Sequence, residues 1–291
     1  MDSRFLQSFV YVVEFGSIAE AARQLDLTPA AVAQRVKMLE AELGGQLVRR
    51  YGRTVGTTEA GERILERARK VLHEIRDLKS DLENPATLGG QLRLGGMGTM
   101  MTSLIPVMLA ELLARHPGID FYLEPGTSLD LYRKVVSGDL DAAVVARPPF
   151  ILPKSCDWHT FREEPLVLLT PAAMHVTDPH VTLRTEPFLR YDRNAVGGQI
   201  AESYLRHHGI TPHQRCELDG LGAIAALVDR GLGVSLVPDW TTKPPSDLSL
   251  AKWPLPHPFQ MRVVGLIWRR SSVRLRLIQA FLQVASEFKY G

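Results

Sequence analysis

Between Gly16 and Leu43 the chain reads GSIAEAARQLDLTPAAVAQRVKMLEAEL, a stretch that few architectures accommodate. Ser17 suits a helix start, and Glu20 three residues later completes the S-x-x-E pattern of a capping box. A short helix over residues 18–25 follows, with a turn at Asp26 and Leu27. Thr28 then caps a second helix whose first residue is Pro29, where the missing N–H costs nothing. Val32, Val36, Leu39 and Leu43 recur at helical spacing, so this stripe is expected to face inward. The opposite face carries Ala30, Gln34 and Lys37, with Ala33 and Arg35 at its flank. That face is mostly alanine with a few amide or basic side chains, unlike a solvated Glu/Lys face. It fits a helix-turn-helix whose second helix enters a major groove; an ordinary pair of packed helices is the alternative.

The flanking segments extend the pattern. Residues 4–15 predict a first helix with Phe5, Phe9, Val12 and Val13 on its buried side, against Ala21, Ala22 and Leu25. Gly44 and Gly45 end the second helix of the pair. LVRRYGRTVGTT then alternates and turns at Gly52 like a small hairpin, a wing whose Arg49, Arg50 and Arg53 could reach phosphates or the minor groove. A merely solvated hairpin is the competing reading. From Glu59 a long helix is expected to about residue 83, some 36 Å in length. Its Ile64, Ala68, Val71, Ile75, Leu78 and Leu82 fall on a heptad seam. Such a seam must be buried, either against the same helix of a second copy or against the chain's own body.

NPATLGG at residues 84–90 is rich in helix breakers and reads as a hinge. Beyond it, strands and helices alternate: LRLGG, a helix, IDFYLEPG, a helix, LDAAVVA, the order of a parallel sheet with right-handed crossovers. A second set follows in PLVLLTP, FLRYD, GGQIAESYLRHHG, RCELD, LGAIAALVDRG and LGVSLVPD, before the strand RVVGLIWRR and a closing amphipathic helix. Two such lobes leave a crevice outside the carboxyl ends of their strands. With 291 residues the chain suits two or three domains. Its formal charge of +2 is nearly balanced, so any nucleic-acid contact must come from a local patch. Cys156 and Cys216 form neither a disulfide framework nor a C-x-x-C motif, which fits a reducing cytoplasm. The start of the chain lacks the pattern of a signal peptide, and no apolar run approaches the roughly 18 residues of a membrane span.

Catalytic signals are weak. GGMGT after a strand lacks the last glycine of a dinucleotide fingerprint, and no G-x-S-x-G elbow occurs. His207, His208 and His213 lie on or after a helix end without a Cys or carboxylate cluster to complete a metal set. Neither an enzyme nor a bound cofactor is expected.

The chain as a whole resembles the LysR-type transcriptional regulators. The resemblance is densest over FVYVVEFGSIAEAARQLDLTPAAVAQRVKMLEAELGGQLVRRYGRTVGTTEAG, with its AA pair, Leu39–Glu40, Leu43–Gly44 and the terminal TEAG. PGIDFYLEPG, SGDLDAAVV and VDRGLGVSLVP follow in the family's order. The chain departs from the pattern at Ile18 and Ala19, where an aromatic and a hydroxyl residue are usual. It also has Thr28, Pro29 and Ala33 where Ser-Gln and a later Ser are usual, so two polar groups are missing from the DNA-facing helix.

The resemblance implies an α+β multidomain chain. Its parts would be a winged helix-turn-helix over residues 1–58, a coiled-coil linker helix and hinge over 59–90, and a two-lobed α/β effector-binding domain of periplasmic-binding-protein type over 91–291. Lobe I would take about 91–163 and 265–291, and lobe II about 164–264. DNA contacts are expected from Ser17, Thr28, Pro29, Ala30, Ala33, Gln34, Arg35, Lys37, Arg49, Arg50 and Arg53. Gln34 would read adenine, the alanines thymine methyls, and Arg35 and Lys37 would hold phosphate. Effector contacts are expected from Thr99, Met100, Thr127, Ser128, Arg147, Asn194, Val196, Gly197 and Trp268, with Arg147 suiting the carboxylate of an anionic metabolite. The implied partners are double-stranded DNA with an interrupted palindrome, a small-molecule effector, RNA polymerase and further copies of the chain in a homodimer or homotetramer. A cytoplasmic solute-binding protein and an architectural DNA binder remain alternatives.

Overall fold

The structure is a computed structural model. It describes residues 1–52, 54–80, 88–240 and 248–287; within 70–80, side chains are described at 71, 72 and 75. Two compact units, Met1–Ala86 and Thr87–Gly291, divide the chain.

In the first unit α1 (Ser3–Phe15) starts at Asp2, whose carboxylate accepts from Arg4 N, and ends at Gly16 with φ +62°. α2 (Ile18–Gln24) begins at Ser17, whose hydroxyl accepts from Glu20 N. The Glu20 carboxylate is engaged by Arg23 and Gln24. The turn passes through Asp26, at φ +51°, a left-handed conformation that Asp tolerates better than most residues. α3 (Pro29–Leu43) is capped by Thr28 and closed by Gly44 at φ +71°. The wing is a hairpin of β1 (Val48–Tyr51) and β2 (Thr54–Thr57), with Val48 opposite Thr57 and Tyr51 opposite Thr54. α4 (Glu59–Ser80) follows.

Leu6, Phe9, Val12, Ala21, Ala22, Val32, Val36 and Leu39 close this unit's core, with Phe5, Val13 and Leu25 packed against it. Leu43 departs from expectation: it is 42% exposed, because the last turn of α3 runs past the core. Two motif elements prove structural. Glu40 Oε1 accepts from both Leu47 N and Val48 N, fixing the entry into the wing. Thr58 Oγ1 accepts from Gly61 N and donates to Gln46 O, and an added Cβ at Gly61 would stand 2.0 Å from Leu47 O.

The heptad seam needs correction at its start. Ala68 is 2% exposed and belongs to the core of this same unit, and Ile64 packs against that core with Leu65 and Leu72. The amino-terminal half of α4 is therefore consumed by its own helix-turn-helix. Val71 is exposed and Ile75 half-buried. The side chain of Leu78, and Leu82 altogether, lie outside the described residues, as does Arg53 of the wing.

The second unit holds two sheets of mixed direction. Its chain order opens with β3 (Gly90–Gly96), α5 (Gly98–Thr102), α6 (Leu104–Arg115), β4 (Ile119–Pro125), α7 (Ser128–Ser137), β5 (Ala142–Ala146) and β6 (Cys156–Glu164). It continues with β7 (Leu166–Pro171), α8 (Pro179–Thr185), β8 (Pro187–Tyr191), α9 (Val196–His207), β9 (His213–Leu218), α10 (Leu221–Asp229), β10 (Ser235–Pro238) and β11 (Leu250–Pro254). β12 (Arg262–Arg269) and α11 (Leu275–Glu287) complete it.

Lobe I is the sheet β4-β3-β5-β12-β6, in which β4, β3 and β5 are parallel and β12 runs antiparallel to both its neighbours. Leu92, Leu94, Val144, Val264 and Leu266 of its inner face pack with Met108 and Leu112 of α6 and Phe281 of α11. Lobe II joins the antiparallel set β10-β7-β11 to the parallel pair β8-β9 through a bridge from Phe188 to Val234. β6, α8 and β11 have no counterpart in the sequence reading. CDWHTFREE lies at a sheet edge with only Cys156, Phe161 and Glu164 buried, so its apolar period is faint. Only two strands link the lobes at one place: the chain leaves lobe I at Glu164–Pro165 and re-enters it at Arg262.

Candidate functional site

In the first unit the solvent side of α3 presents Pro29, Ala30, Gln34, Lys37 and Met38 as exposed residues, with Ala33 and Arg35 half-buried beside them. This surface stands directly over buried Val32, Val36 and Leu39, so the core fixes the helix while its outer face stays free. Thr28 and Ser17 spend their hydroxyls as cap acceptors, from Ala31 N and Glu20 N. Arg49 and Arg50 are exposed on the wing, where Arg49 lies 4.4 Å from the Tyr51 ring centroid and bonds its hydroxyl. Met38 was not anticipated; it stands 46% exposed on this face.

In the second unit a cavity of about 570 Å³ opens between the lobes. Lobe I contributes Met97, Gly98, Thr99 and Thr102, then Gly126 to Asp130 at the start of α7, and Ala146 at the end of β5. Lobe II contributes Tyr191, Asp192, Asn194, Ala195, Val196 and Gly197 before and into α9, Asp219 to Gly222 and Ala225 around the start of α10, and Trp240. Arg262 lies at the strand crossing. Thr99, Thr127, Ser128, Asn194, Val196 and Gly197 are thus brought together on one cavity.

Local chemistry explains these positions. Thr127 Oγ1 caps α7 by accepting from Asp130 N, and Ser128 Oγ accepts from Ala146 N, tying α7 to β5. The α9 start sits so close to β8 that a Cβ at Gly198 would stand 1.9 Å from Asp192 O, and one at Gly197 2.6 Å from the Tyr191 ring. α9 and α10 begin at Ala195 and Gly220 without a side-chain cap. Their first-turn N–H groups therefore face the cavity as partial positive charge. Thr99 Oγ1 is buried with no hydrogen-bond partner among the described residues.

Three expected effector contacts are corrected. Met100 is fully buried in the lobe I core, because α5 turns Gly98, Thr99 and Thr102 to the cavity and Met100 to the sheet. Arg147 is exposed on the opposite side: strand alternation gives Ala146 to the cavity and carries Arg147 over Trp158, 5.8 Å from its ring centroid. Trp268 shares a strand face with Arg262 but sits six residues further along β12, about 20 Å away. It pairs there with Ala142 at the far end of β5 and packs on the lobe I core.

The cation that does line the cavity is Arg262, which the sequence reading missed. It is 2% exposed, and its Nε donates to Glu164 Oε2 at 2.5 Å, across the β12–β6 register. Glu164, 1% exposed, is also paired at 2.5 Å with Arg162, whose Nη2 donates to Trp240 O in lobe II. Two guanidiniums therefore share one buried carboxylate at the strand crossing. Arg162 Nε, Glu164 Oε1 and Arg262 Nη2 are left without a hydrogen bond. Asp130, Asp192 and Asp219 line the same cavity; Asp130 is paired with Arg133, and the other two use Oδ1 to accept from Asn194 and from Gly220 N. The Tyr191 phenol in the same wall is pushed up, first by burial; Arg262 opposes that rise, and Asp219, Glu164 and Asp192 add to it.

Among the described residues no group of His, Cys, Asp and Glu is arranged to hold a metal ion, and no helix is long and apolar enough to cross a membrane. The three histidines weighed as a metal set are not among the residues lining the cavity: the His208 ring lies tilted against those of His180 and Tyr204, and His207 packs edge-on to it.

The family model for the "LysR substrate binding domain" matches residues 85–289, and that for the "Bacterial regulatory helix-turn-helix protein, lysR family" matches residues 3–62. Among curated proteins, the HTH-type transcriptional activator IlvY of Salmonella typhimurium is 29% identical over 82% of this chain and 83% of its own. The HTH-type transcriptional regulator CzcR of Bacillus cereus is 30% identical over 82% of this chain and 80% of its own. Among solved structures, full-length CbnR in complex with its target DNA superposes with a TM-score of 0.72 at 20% identity, over 98% of this chain and all of that one.

Proposed function

The chain belongs to the LysR family of bacterial transcriptional regulators, with a DNA-binding helix-turn-helix unit and an effector-binding domain, and on that premise we propose how its residues divide the work. Ala30, Ala33, Gln34 and Met38 of α3 read base edges. Arg35, Lys37, Arg49, Arg50 and Arg53 hold phosphate or the minor groove. Ser17, Thr28 and Pro29 keep the reading helix in position. Two copies join along the chain beyond Ala68, through Val71, Ile75, Leu78 and Leu82. The dimer then bridges the half-sites of an interrupted palindrome in the cytoplasm, and dimers can pair into tetramers. A small molecule held by Thr99, Thr127, Ser128, Asn194, Val196 and Gly197 changes the relative stability of two arrangements of the lobes. That change alters how the bound regulator meets RNA polymerase.

The observation that carries the reading is the outer face of α3. Gln34 and Lys37 are exposed beside Ala30, above a core that buries Val32, Val36 and Leu39. A small face of that kind fits a major groove, and Gln can bond an adenine through both its amide atoms. CbnR, whose fold this chain shares, has been solved on its target DNA, which supports a duplex as the partner.

The test is selection of bound duplexes from a random pool by the full-length protein at moderate salt. Enrichment of a pseudo-palindrome with half-sites one helical turn apart, or a multiple of it, is expected. Binding that enriches no sequence and merely fades with salt would remove the base-reading role from α3.

A further inference from the structure

We propose that the interlobe cavity takes a small zwitterion, a ligand carrying a carboxylate and an ammonium on one skeleton, with Arg262 receiving the carboxylate and Asp192 and Asp219 the ammonium. This rests on reading the cavity as the effector site and goes further by fixing the ligand's charge pattern. Arg262 is 98% withdrawn from solvent yet lines the cavity, and its Nη2 lacks a hydrogen bond although it lies 2.5 Å from Glu164 Oε2. Arg162 competes for the same Glu164. One carboxylate cannot neutralise two guanidiniums, so the crossing carries a positive charge that a second carboxylate can complete, in the fork geometry arginine favours. The uncapped starts of α9 and α10 add partial positive charge to the same space.

The rest of the wall has the other sign. Asp130, Asp192 and Asp219 line the cavity and none is paired with Arg262. Asp130 is held by Arg133 and Thr127, which leaves Asp192 and Asp219 as the lining carboxylates with no ion pair among the described residues. A simple dianion would find one positive charge at the crossing for its two negative ones, and would meet the carboxylates of Asp192 and Asp219 besides. A plain amine would satisfy the aspartates and leave Arg262 as it is. A zwitterion answers both. Because Arg262 and Glu164 stand on the two strands that join the lobes, a carboxylate drawing on Arg262 acts where the lobes would pivot.

The experiment uses the full-length protein. All four tryptophans, Trp158, Trp240, Trp253 and Trp268, lie in the second unit, so the thermal transition in their fluorescence reports that unit. The probes are alanine, norleucine and phenylalanine, their deaminated partners propanoate, hexanoate and 3-phenylpropanoate, and their decarboxylated partners ethylamine, pentylamine and 2-phenylethylamine. At about 10 mM, at least one amino acid is expected to raise Tm by about 2 °C or more, and its two partners by less than half as much. Arg262→Met is expected to reduce that shift to the level of the amine. The double variant Asp192→Asn with Asp219→Asn should reduce it to the level of the carboxylate. Equal shifts from an amino acid and its deaminated partner, a larger shift from an amine, an undiminished shift in Arg262→Met, or no shift from any probe would each overturn the proposal. The wild-type comparison needs no variant to fold. The effector reading is scored separately, by whether a stabilising amino acid changes binding to the selected duplex: an unchanged affinity and footprint would sink that reading while the zwitterion site stands.

Discussion

Glu164 is the residue whose loss should distinguish a shared carboxylate from an ordinary ion pair. In the native state it stands between Arg162 and Arg262, at 2.5 Å from each. Replacing it by Gln keeps the shape and removes the charge, leaving two guanidiniums facing each other without a counter-charge. Removing one partner of a buried pair costs about 3–5 kcal/mol. Arg162 retains 21% side-chain exposure, against 2% for Arg262, so water screens part of that penalty and the lower end, about 3 kcal/mol, applies. Arg262→Met is the contrasting change. It leaves Arg162 and Glu164 as a balanced pair and replaces the arginine stem by an apolar chain of similar reach, so about 1 kcal/mol or less is expected. Urea unfolding read from the four tryptophans measures both variants in the intact protein. With a slope near 3 kcal/mol per molar, Glu164→Gln should lower the midpoint by about 1 M and Arg262→Met by about a third of that. If Arg262→Met is as damaging as Glu164→Gln, the two arginines are not sharing one carboxylate. If Glu164→Gln lies within about 1 kcal/mol of wild type, the crossing is not held by charge at all.

Gly61→Ala should unfold or loosen the helix-turn-helix unit, because its new Cβ meets the Leu47 carbonyl at 2.0 Å and backbone must move; a loss above about 2 kcal/mol is expected from urea unfolding followed by far-UV circular dichroism, with retention on the selected duplex lost. Gln34→Ala should relax base preference at one position per half-site, costing about 1–3 kcal/mol there. Arg49→Ala or Arg50→Ala should instead weaken all sequences alike and lower the salt slope by about one; a changed consensus from either arginine variant would contradict this division. The His180 ring is held below its usual range, first by burial and then by the neighbouring His208. The native state therefore binds fewer protons than the unfolded chain just below the unfolded value of 6.5, and stability falls as pH drops through that value toward the native one. His180→Phe should flatten that decline, and Tm measured between about pH 5 and pH 7 in both proteins gives the comparison.

The helix-turn-helix was readable from sequence because its signals are local. A cap at Ser17, another at Thr28, a proline in the first turn of α3 and a buried stripe with period near 3.6 all lie within a few residues of what they determine. The long helix misled for a related reason: a heptad pattern marks a face to be covered but does not say by what, and Ile64 and Ala68 are covered by their own unit. In the cavity wall, Thr99, Thr127 and Asn194 could be anticipated because they follow strand ends, where a two-lobed α/β domain opens. Arg147 failed on parity, one residue beyond cavity-lining Ala146. Arg262 could not be found by such rules. Its meaning depends on Glu164, nearly a hundred positions earlier in an edge strand with little apolar alternation, and only the β12–β6 register brings the two together.

The crossing also bears on how the protein is made. β12 is the inner strand that holds β6 to the rest of the lobe I sheet, and α11, which covers that sheet, comes later still. A ribosome therefore delivers β3, β4, β5 and β6 and then all of lobe II before the strand that unites them exists. Lobe II, from β7 to β11, can close as soon as it emerges, whereas lobe I must wait for β12 and α11. During that interval the facing edges of β5 and β6 are open, which makes the nascent chain vulnerable to mispairing until β12 is made. Deletions from the carboxyl terminus that remove β12 should accordingly damage the lobe synthesised first and spare the one synthesised second.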